Sequence, residues 1–376
     1  MESPQLHVFM GKMPLQRSWF QSLVFIPFPW SRLRSALAGL GHTYFLVGLI
    51  VCVTIAYPIE SARGNPTADD ILKALPISDS KKRQVLNGQV VRWTTQESNN
   101  REIAVGIVML MKANPENAAQ LFRGAEGYQL IDAVTAHGVI PGKGTTADFA
   151  NLILKPNGEK EATRYLDAKP GSALNLDSQE MAAFQTLKAQ LKDNDGKQQA
   201  VETLIREHFL ARLHAYQAKG LDGINPYSRS RNQKRLASKK IRLSVTANNI
   251  TASLYPKFHE ALVNYPKADM TGVEESFFWL NIEVFSRPLL VLVHRMLYQE
   301  GQTYLVSDRH FYTSHEYNSL QAVGGVWPKD EGALIVYLYR VSTDQVGGFG
   351  SSVKRPAARL LMGPYVEELF EKIRAQ

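Results

Sequence analysis

The chain of 376 residues is long enough for one large domain or two modest ones, and its 44% hydrophobic and 21% charged residues exclude an intrinsically disordered protein. Its 43 basic and 35 acidic side chains give a formal net charge of +8, which is mild for this length. Cys52 is the only cysteine, so the sequence excludes an intrachain disulfide and a cysteine-based metal site.

An uncharged segment at residues 37–59, LAGLGHTYFLVGLIVCVTIAYPI, predicts an amino-terminal membrane helix, because about twenty apolar residues span the hydrocarbon core of a bilayer. Arg32 and Arg34 closely precede this segment. Positive charge favours the cytoplasmic side, so we expect residues 1–36 in the cytoplasm and the rest of the chain beyond the membrane.

Processing of this segment is left open by the sequence. The helix is either kept as an anchor or removed as a signal peptide, and translation starts at Met1 or at Met13. We therefore expect a bacterial inner-membrane protein with a periplasmic domain, or a protein secreted to the periplasm of a Gram-negative bacterium. The membrane, reached through residues 37–59, is its first predicted partner, and no oligomeric state is indicated.

Residues 60–85 are predicted to form a polar linker that contains a short helix, ADDILKAL. A β-hairpin is expected next in VLNGQVVRWTTQESNNREIAVGIVMLMK, because two strand-like runs flank a turn-rich centre. The folded part of the chain is therefore expected to begin at about this hairpin.

A short helix is predicted after the hairpin. Asn114 caps it, Pro115 occupies its first position and Gly124 ends it. Two further runs, YQLIDAVTAHGVI and DFANLILKP, are predicted to be strands because they are rich in apolar and β-branched residues.

The middle of the chain changes to helical periodicity. SQEMAAFQTLKAQL and KQQAVETLIREHFLARLHAYQAKG predict a helical hairpin, because their apolar residues recur at helical spacing. Residues 220–242 are predicted to form a basic loop, and ITASLYPKFHEALVNYP is expected to form one helix or a pair of short helices.

The last third is predicted to be an antiparallel meander followed by a long helix, because five strand-like runs are separated by short turns. The runs are SFFWLNIEVF, PLLVLVHRMLYQ, TYLVSDRHFYTS, NSLQAVGGVW and ALIVYLYRVS. Apolar residues of the terminal helix recur three and four apart, so one side should pack against the sheet. They are Ala358, Leu361, Met362, Tyr365, Val366, Leu369, Phe370 and Ile373.

The final segment ALIVYLYRVSTDQVGGFGSSVKRPAARLLMGPYVEELFEKIR resembles the START and wider SRPBCC superfamily. The earlier VVRWTTQ, EIAVGIVMLM and NPENAAQLF stand in the opening positions of that pattern. The resemblance implies an α+β helix-grip fold, in which a curved antiparallel sheet wraps around a long carboxy-terminal helix. We therefore expect one START-like domain over residues 86–376, with a helical-hairpin insertion at about 176–265.

The same resemblance implies a cavity between sheet and terminal helix for a sterol, a phospholipid or another apolar molecule. A filled core would show the same apolar helix face, so that alternative stays open. Polar residues on apolar strand faces are candidates for orienting a ligand, because a buried charge must be paired or hydrated. The candidate ligand-binding residues are Trp279, Glu283, Arg295, His310, Tyr312, Tyr337, Arg340, Leu361 and Tyr365.

The sequence contains no recognisable catalytic, metal-binding or cofactor-binding motif. Alternation along TYLVSDRHFYTSH places His310 and Tyr312 on one face of a regular strand and His315 on the other, which argues against a shared metal site. There is no G-x-S-x-G elbow, and PGKGTT lacks the first glycine of a phosphate loop. We predict no catalytic residue, metal or cofactor.

The basic loop is the one strongly charged segment. Its candidate membrane-surface residues are Arg229, Arg231, Lys234, Arg235, Lys239 and Lys240. An exported protein rarely meets nucleic acid, so we expect no nucleic-acid partner. Beside a membrane these charges would attract anionic lipid, whereas a simply solvated loop is the alternative.

The predicted function is an exported or membrane-anchored binding protein for an apolar or amphipathic, lipid-like ligand. The first alternative is a cell-envelope scaffold with a filled core and no ligand, and the second is an enzyme of the same fold. An open apolar cavity favours the binding protein and a filled core the scaffold. A cavity with Glu283 and a histidine in hydrogen-bond reach favours the enzyme.

Overall fold

A computed structural model describes residues 65–171, 174–191, 196–347 and 351–375. The predictions for the amino-terminal segments 1–36 and 37–59 lie outside these residues. None of the helices in the described ranges combines the length and the apolar character that a membrane span requires.

Ten strands are present in the described residues, and eight of them form one curved antiparallel sheet in the order β1-β2-β10-β9-β8-β7-β6-β3. The sheet strands are β1 Val91–Thr94, β2 Glu102–Met111, β3 Val134–Ile140, β6 Val273–Val284, β7 Arg287–Glu300, β8 Thr303–Thr313, β9 Ser319–Lys329 and β10 Gly332–Ser342. A separate two-stranded ribbon pairs β4 Tyr227–Ser228 with β5 Lys234–Arg235.

Helices connect and cover the strands. They are α1 Ala68–Ala74, α2 Asp79–Leu86, α3 Pro115–Gln120, α4 Gly158–Leu166, α5 Ser178–Gln190, α6 Lys197–Lys219, α7 Ala237–Thr246, α8 Asn249–Leu254, α9 Pro256–Asn264 and α10 Ser351–Arg374. Short 3-10 helices span Glu126–Leu130, Thr146–Phe149 and Gly220–Gly223. The chain is therefore α+β, with the terminal helix that the sequence predicts.

The five-stranded meander is confirmed, since β6 to β10 are sequential neighbours in the sheet. The opening hairpin is confirmed as well, because β1 pairs antiparallel with β2 and Val91 faces Val108. β2 then pairs with β10, which joins the beginning of the domain to its last strand. This pairing between distant parts of the chain attaches β1 and β2 to the sheet beside β10, at one end of the strand order.

One face of the sheet, here called the helical face, is covered by α1 and by α4 to α9. Its strand residues include Trp93, Leu305 and Trp327, and they belong to the same apolar core as Phe209 and Tyr216 of α6. The predicted helical hairpin is confirmed as α5 and α6. The helices therefore form a second layer over the sheet.

The opposite face, here called the terminal-helix face, is covered by α3 and α10. Ile107 and Ile335 of the sheet share a core with Val366, Phe370 and Ile373 of α10. β2 is buried along nearly its whole length because both of its faces are covered. Because both faces of β2 are buried, its sequence is a continuous apolar run and does not alternate between apolar and polar residues.

Three local predictions differ from the structure. DFANLILKP is not a strand but contains the 3-10 helix Thr146–Phe149 followed by irregular chain. The predicted basic loop, residues 220–242, ends inside the helix α7, whose apolar residues Ile241 and Val245 belong to the core of the helical face. The segment at residues 60–85 was predicted as a linker with the short helix ADDILKAL, and that helix is confirmed as α1. The segment also contains most of α2, and Ile71 of α1 and Val85 of α2 are fully buried, so this part belongs to the core.

A β-bulge in β8 changes the predicted faces of that strand. Val293 of β7 pairs with His310 while Leu292 pairs with Tyr312, so Phe311 is the extra residue. His310 and Tyr312 therefore lie on opposite faces, and the prediction that they share one is wrong. The bulge depends on pairing with β7, which the sequence of β8 alone does not reveal.

Candidate functional site

The sequence-predicted site residues do not form a single site. Arg295, His310 and Tyr337 lie on the terminal-helix face, whereas Trp279, Tyr312 and Arg340 lie on the helical face. The positions follow from their contacts and strand registers.

Three candidates remain, and two of them, Glu283 and Tyr365, are exposed. Glu283 is exposed near the end of β6, where its backbone N–H donates to the carbonyl of Ala133. Tyr365 is 72% exposed, so the prediction that it packs against the sheet is wrong. The backbone of Leu361 lies in α10, and its side chain is not among those described.

The terminal helix makes a filled contact with the sheet through its second half. The ring of Phe370 lies 5.7 Å from the ring of Tyr337 and 6.4 Å from that of Tyr339. Val366 and Ile373 are buried one turn to either side. This part of the helix–sheet interface is packed core and leaves no room for a ligand.

Arg295 is fully engaged by protein groups. Its Nε and Nη2 donate to the two carboxylate oxygens of Asp308 at 2.6 and 3.1 Å, and its Nη1 donates to the carbonyl of Gly124 at 2.6 Å. The guanidinium also lies 4.8 Å from the ring centre of Tyr128. Burial opposes its charge, but Asp308 outweighs burial and holds the pKa of Arg295 above its ordinary value.

Two histidines in the sheet are neutral because they are desolvated. Burial lowers the pKa of His310 to about 4, and its Nδ1 lies 2.7 Å from the hydroxyl of Tyr317. Burial also lowers the pKa of His294 to about 4. The His294 Nδ1 lies 2.9 Å from the hydroxyl of Tyr216, which accepts a hydrogen bond from Arg309.

We expect stability to fall as the pH decreases from about 6.5 to about 4, because His294 stays neutral when folded while its unfolded form takes up a proton. His294 should change the free energy of unfolding by about 1.4 kcal/mol per pH unit between these two pH values. Above about pH 6.5 it should contribute no pH dependence. Urea unfolding at a series of pH values measures this dependence. His294→Phe should remove that part of the slope, and an unchanged slope would assign it to other groups.

The larger cavity lies on the helical face, between the sheet and the helices α1, α7 and α8. Its volume is about 270 Å³. The lining residues are Ala74, Leu75, Pro76, Trp93, Thr95, Ala247, Asn248, Ile250, Thr251, Leu305, Val323, Gly324, Trp327, Val336, Leu338 and Arg340. Most of the wall is therefore aliphatic or aromatic, and the cavity lies on the face opposite α10.

A buried ion pair borders the cavity. Arg340 donates through Nη1 to Oε2 of Glu102 at 2.9 Å, and both side chains are almost fully buried. The other oxygen of Glu102 accepts a hydrogen bond from Ser244 at 2.6 Å. The Nε of Arg340 is buried without a hydrogen-bond partner among the described residues. The charged end of the cavity therefore keeps one donor that the protein does not use.

A second cavity of about 230 Å³ lies beside α10, and its lining is more strongly charged. Lys81, Arg92 and Arg359 line it together with parts of β1 and β2. All three cations have protein partners, since Lys81 donates to the carbonyl of Arg92, and Arg92 and Arg359 pair with Glu367 and Glu97. This cavity is accordingly a weaker candidate for an apolar ligand.

Sequence reasoning identified Arg340 but missed the two tryptophans that wall the larger cavity. Trp93 lies in the first strand and Trp327 in the ninth, and the Nε1 of Trp327 donates to the hydroxyl of Tyr255 at 2.7 Å. Alternation predicts on which face of its strand each tryptophan lies. Only the order of the strands in the sheet brings the two side chains to the same cavity. The sequence signal was a large aromatic residue in each of two strands.

The basic run divides into two groups. Arg229 and Arg235 pair with Asp344, which follows β10, whereas Arg231, Lys234 and Lys239 are exposed. Lys240 is half-buried and donates to the side chain of Asn99 at 2.9 Å.

No group of three or more metal-ligating side chains occurs within the described part of the chain. Trp279 and Tyr312 have structural partners, since Trp279 donates to the carbonyl of Asp148 at 2.8 Å and Arg212 lies 4.1 Å from the ring centre of Tyr312.

Comparison with known proteins gives no relative. The chain matches no protein-family model, no curated protein and no solved structure. Its function is therefore argued from the geometry of its own cavities and charged groups.

Proposed function

We propose that this protein binds a small apolar or amphipathic molecule in the larger cavity on the helical face. The observation that carries the proposal is the lining, which is mainly apolar and has one ion pair, Arg340 with Glu102, at its edge. Ligand sites commonly combine an apolar hollow with a few placed polar groups.

The volume of the cavity limits the size of the ligand. Sites for drug-sized molecules span about 300–1,000 Å³. The cavity, at about 270 Å³, lies just below that range. A single ring system or a short acyl chain therefore fits, whereas a sterol or a two-chain phospholipid is too large without expansion of the cavity. Burial of roughly 150 Å² of apolar ligand surface would contribute about 4 kcal/mol.

The same proposal includes a helix-grip fold and a position at the cell envelope. The antiparallel sheet with a long terminal helix across one face supports the helix-grip assignment to the START-like class. The helical layer on the other face departs from a minimal member of that class. The uncharged segment at residues 37–59 supports anchoring or export, either at the inner membrane or into the periplasm.

A cell-envelope scaffold is the second candidate function, and one observation favours it. α10 closes on the sheet through Phe370 and leaves a packed core where the resemblance places a ligand. An enzyme has less support, because Glu283 is exposed and away from the cavity lining.

The cavity proposal is tested by filling the cavity. Leu338→Trp places an indole in the space that Leu338 lines, and we expect it to weaken binding at least tenfold. Leu320→Trp is the matched control, because Leu320 is also half-buried but packs with the core of the terminal-helix face. The measurement is calorimetric titration of the full chain with toluene, n-octanol and octanoate.

Each result has a defined meaning. Binding of one of these probes to the native chain and to Leu320→Trp, with loss in Leu338→Trp, supports the proposal. Equal loss in both variants, or no heat with any probe, contradicts it and favours the scaffold. Native mass spectrometry of the gently purified full chain, followed by solvent extraction, would identify a copurifying ligand.

A further inference from the structure

Three arginines converge on one aspartate where β10 ends. The Nε of Arg101, Arg229 and Arg235 lie 3.2, 3.0 and 2.6 Å from carboxylate oxygens of Asp344. Three positive charges on one negative charge leave a surplus of two. A single arginine would already neutralise the carboxylate, so the cluster keeps a net positive charge.

The three arginines differ in how completely the protein uses them. Arg229 is saturated: its Nη2 donates to the side-chain oxygens of Asn175 and Asn318 at 2.6 and 3.0 Å, and its Nη1 donates to the carbonyl of Ser228. It is therefore a fixed support for Asp344.

Arg101 and Arg235 approach Asp344 through Nε alone: the Nε of Arg235 donates a hydrogen bond, whereas the buried Nε of Arg101 makes an ion-pair contact and has no hydrogen-bond partner among the described residues. Both Nε atoms approach the same oxygen, Oδ1 of Asp344, which brings the two guanidinium groups side by side. Within the described ranges, neither residue has a hydrogen bond through its terminal nitrogens. Their side chains are 29% and 23% exposed, so solvent reaches part of each.

The neighbouring titratable groups respond to the positive charge of the three arginines. Burial and the charge of Arg101 lower the pKa of the neighbouring Lys240. Burial raises the pKa of Asp344, but hydrogen bonds from Arg235 and Arg229 outweigh it and keep the carboxylate ionised. A Cβ on Gly347 would come within 2.8 Å of the Arg101 Nε, so glycine at this position leaves room for the guanidinium.

We infer that Arg101 and Arg235 form a binding site for a phosphate-type oxyanion, with Arg229 and Asp344 holding them in position. A guanidinium presents paired N–H donors that match phosphate oxygens, and two adjacent groups can grip one phosphate from two sides. The exposed Arg231, Lys234 and Lys239 flank the site and would raise the local concentration of anions. This site is separate from the apolar cavity and goes beyond the proposed function.

The anion has two possible sources with the same chemistry, a soluble phosphate ester or the head group of an anionic lipid. Calorimetric titration of the full chain with inorganic phosphate and with glycerol 3-phosphate tests the soluble source. Cosedimentation with vesicles of phosphatidylcholine, with and without added phosphatidylglycerol, tests the lipid source. Selective binding to the phosphatidylglycerol vesicles assigns the site to a membrane surface, and binding of the esters alone assigns it to a soluble ligand.

The site variant is Arg235→Gln, which removes one guanidinium, and it should weaken binding at least tenfold. Arg242→Gln is the matched control, because Arg242 lies on the adjacent α7 and pairs with the exposed Asp222. Arg235→Lys keeps the charge but loses the paired donors, and it should still bind several-fold more weakly. If Arg235→Gln does not fold, Arg235→Lys carries the test.

Two results would overturn the inference. One is the absence of binding to phosphate, to the ester and to both kinds of vesicle. The other is an equal effect of Arg235→Gln and Arg242→Gln, which would show attraction by net charge alone. Leu338→Trp should leave anion binding unchanged, so failure of the cavity proposal and failure of this one can be distinguished.

Discussion

Glu102→Ala should lower the free energy of unfolding by about 3–5 kcal/mol, because it leaves Arg340 as an uncompensated buried charge. The carboxylate is 0% exposed and accepts hydrogen bonds from Arg340, from the hydroxyl of Ser244 and from the backbone N–H of Ser98. All three donors lose their acceptor in the variant. Urea unfolding of the full chain, monitored by fluorescence, measures the change.

An exposed ion pair provides the control for this prediction. Asp222 and Arg242 lie 3.2 Å apart with side chains that are 78% and 41% exposed, so Asp222→Ala should change stability by less than about 1 kcal/mol. The double variant of Glu102→Met with Arg340→Met should be more stable than Glu102→Ala, because it removes both charges together. If Glu102→Ala costs no more than Asp222→Ala, the pair contributes little to stability.

The sequence predicts the strands of the meander because each one is a long apolar or β-branched run bounded by short turns. β6 to β10 appear in the predicted order, and the helical hairpin appears as α5 and α6. These features depend on interactions between residues close in the chain. Local periodicity is therefore sufficient to predict them.

Face assignments were less predictable because they depend on pairing between strands. The bulge at Phe311 moves Tyr312 to the helical face, where its ring lies 5.2 Å from that of Phe209. α7 was not predicted because residues 234–242 are rich in positive charge and its buried apolar residues are few: Ala237, Ile241 and Val245. Its burial against the sheet becomes visible only when the helical layer is assembled.

The candidate site was predicted only in part for the same reason. Arg340 was identified because it is a charge on an apolar strand, and the structure gives it a buried partner, Glu102. The cavity itself depends on Trp93, Trp327 and the loop before α8, which come from three distant parts of the chain. Their proximity is a property of the sheet order, and no single segment encodes it.

Phe370→Ala should lower the free energy of unfolding by about 3–5 kcal/mol, the usual cost of removing a buried aromatic ring. Phe370 is 0% exposed and packs edge-on against the ring of Tyr337. Tyr365→Ala is the control on the same helix, because Tyr365 is 72% exposed and its loss should change stability by less than about 0.5 kcal/mol. Urea unfolding of both variants provides the comparison.

Hydrogen exchange of the Phe370→Ala variant decides whether the terminal helix acts as a mobile cover. A helix that opens without unfolding of the sheet would lose its amide protection locally, and Phe370→Ala would then accelerate hydrogen exchange in α10 alone. A helix that is part of the core would exchange together with β2 and β10, whose residues it contacts. The continuous packing of Val366, Phe370 and Ile373 favours the second result. Gating of a ligand by α10 requires the first.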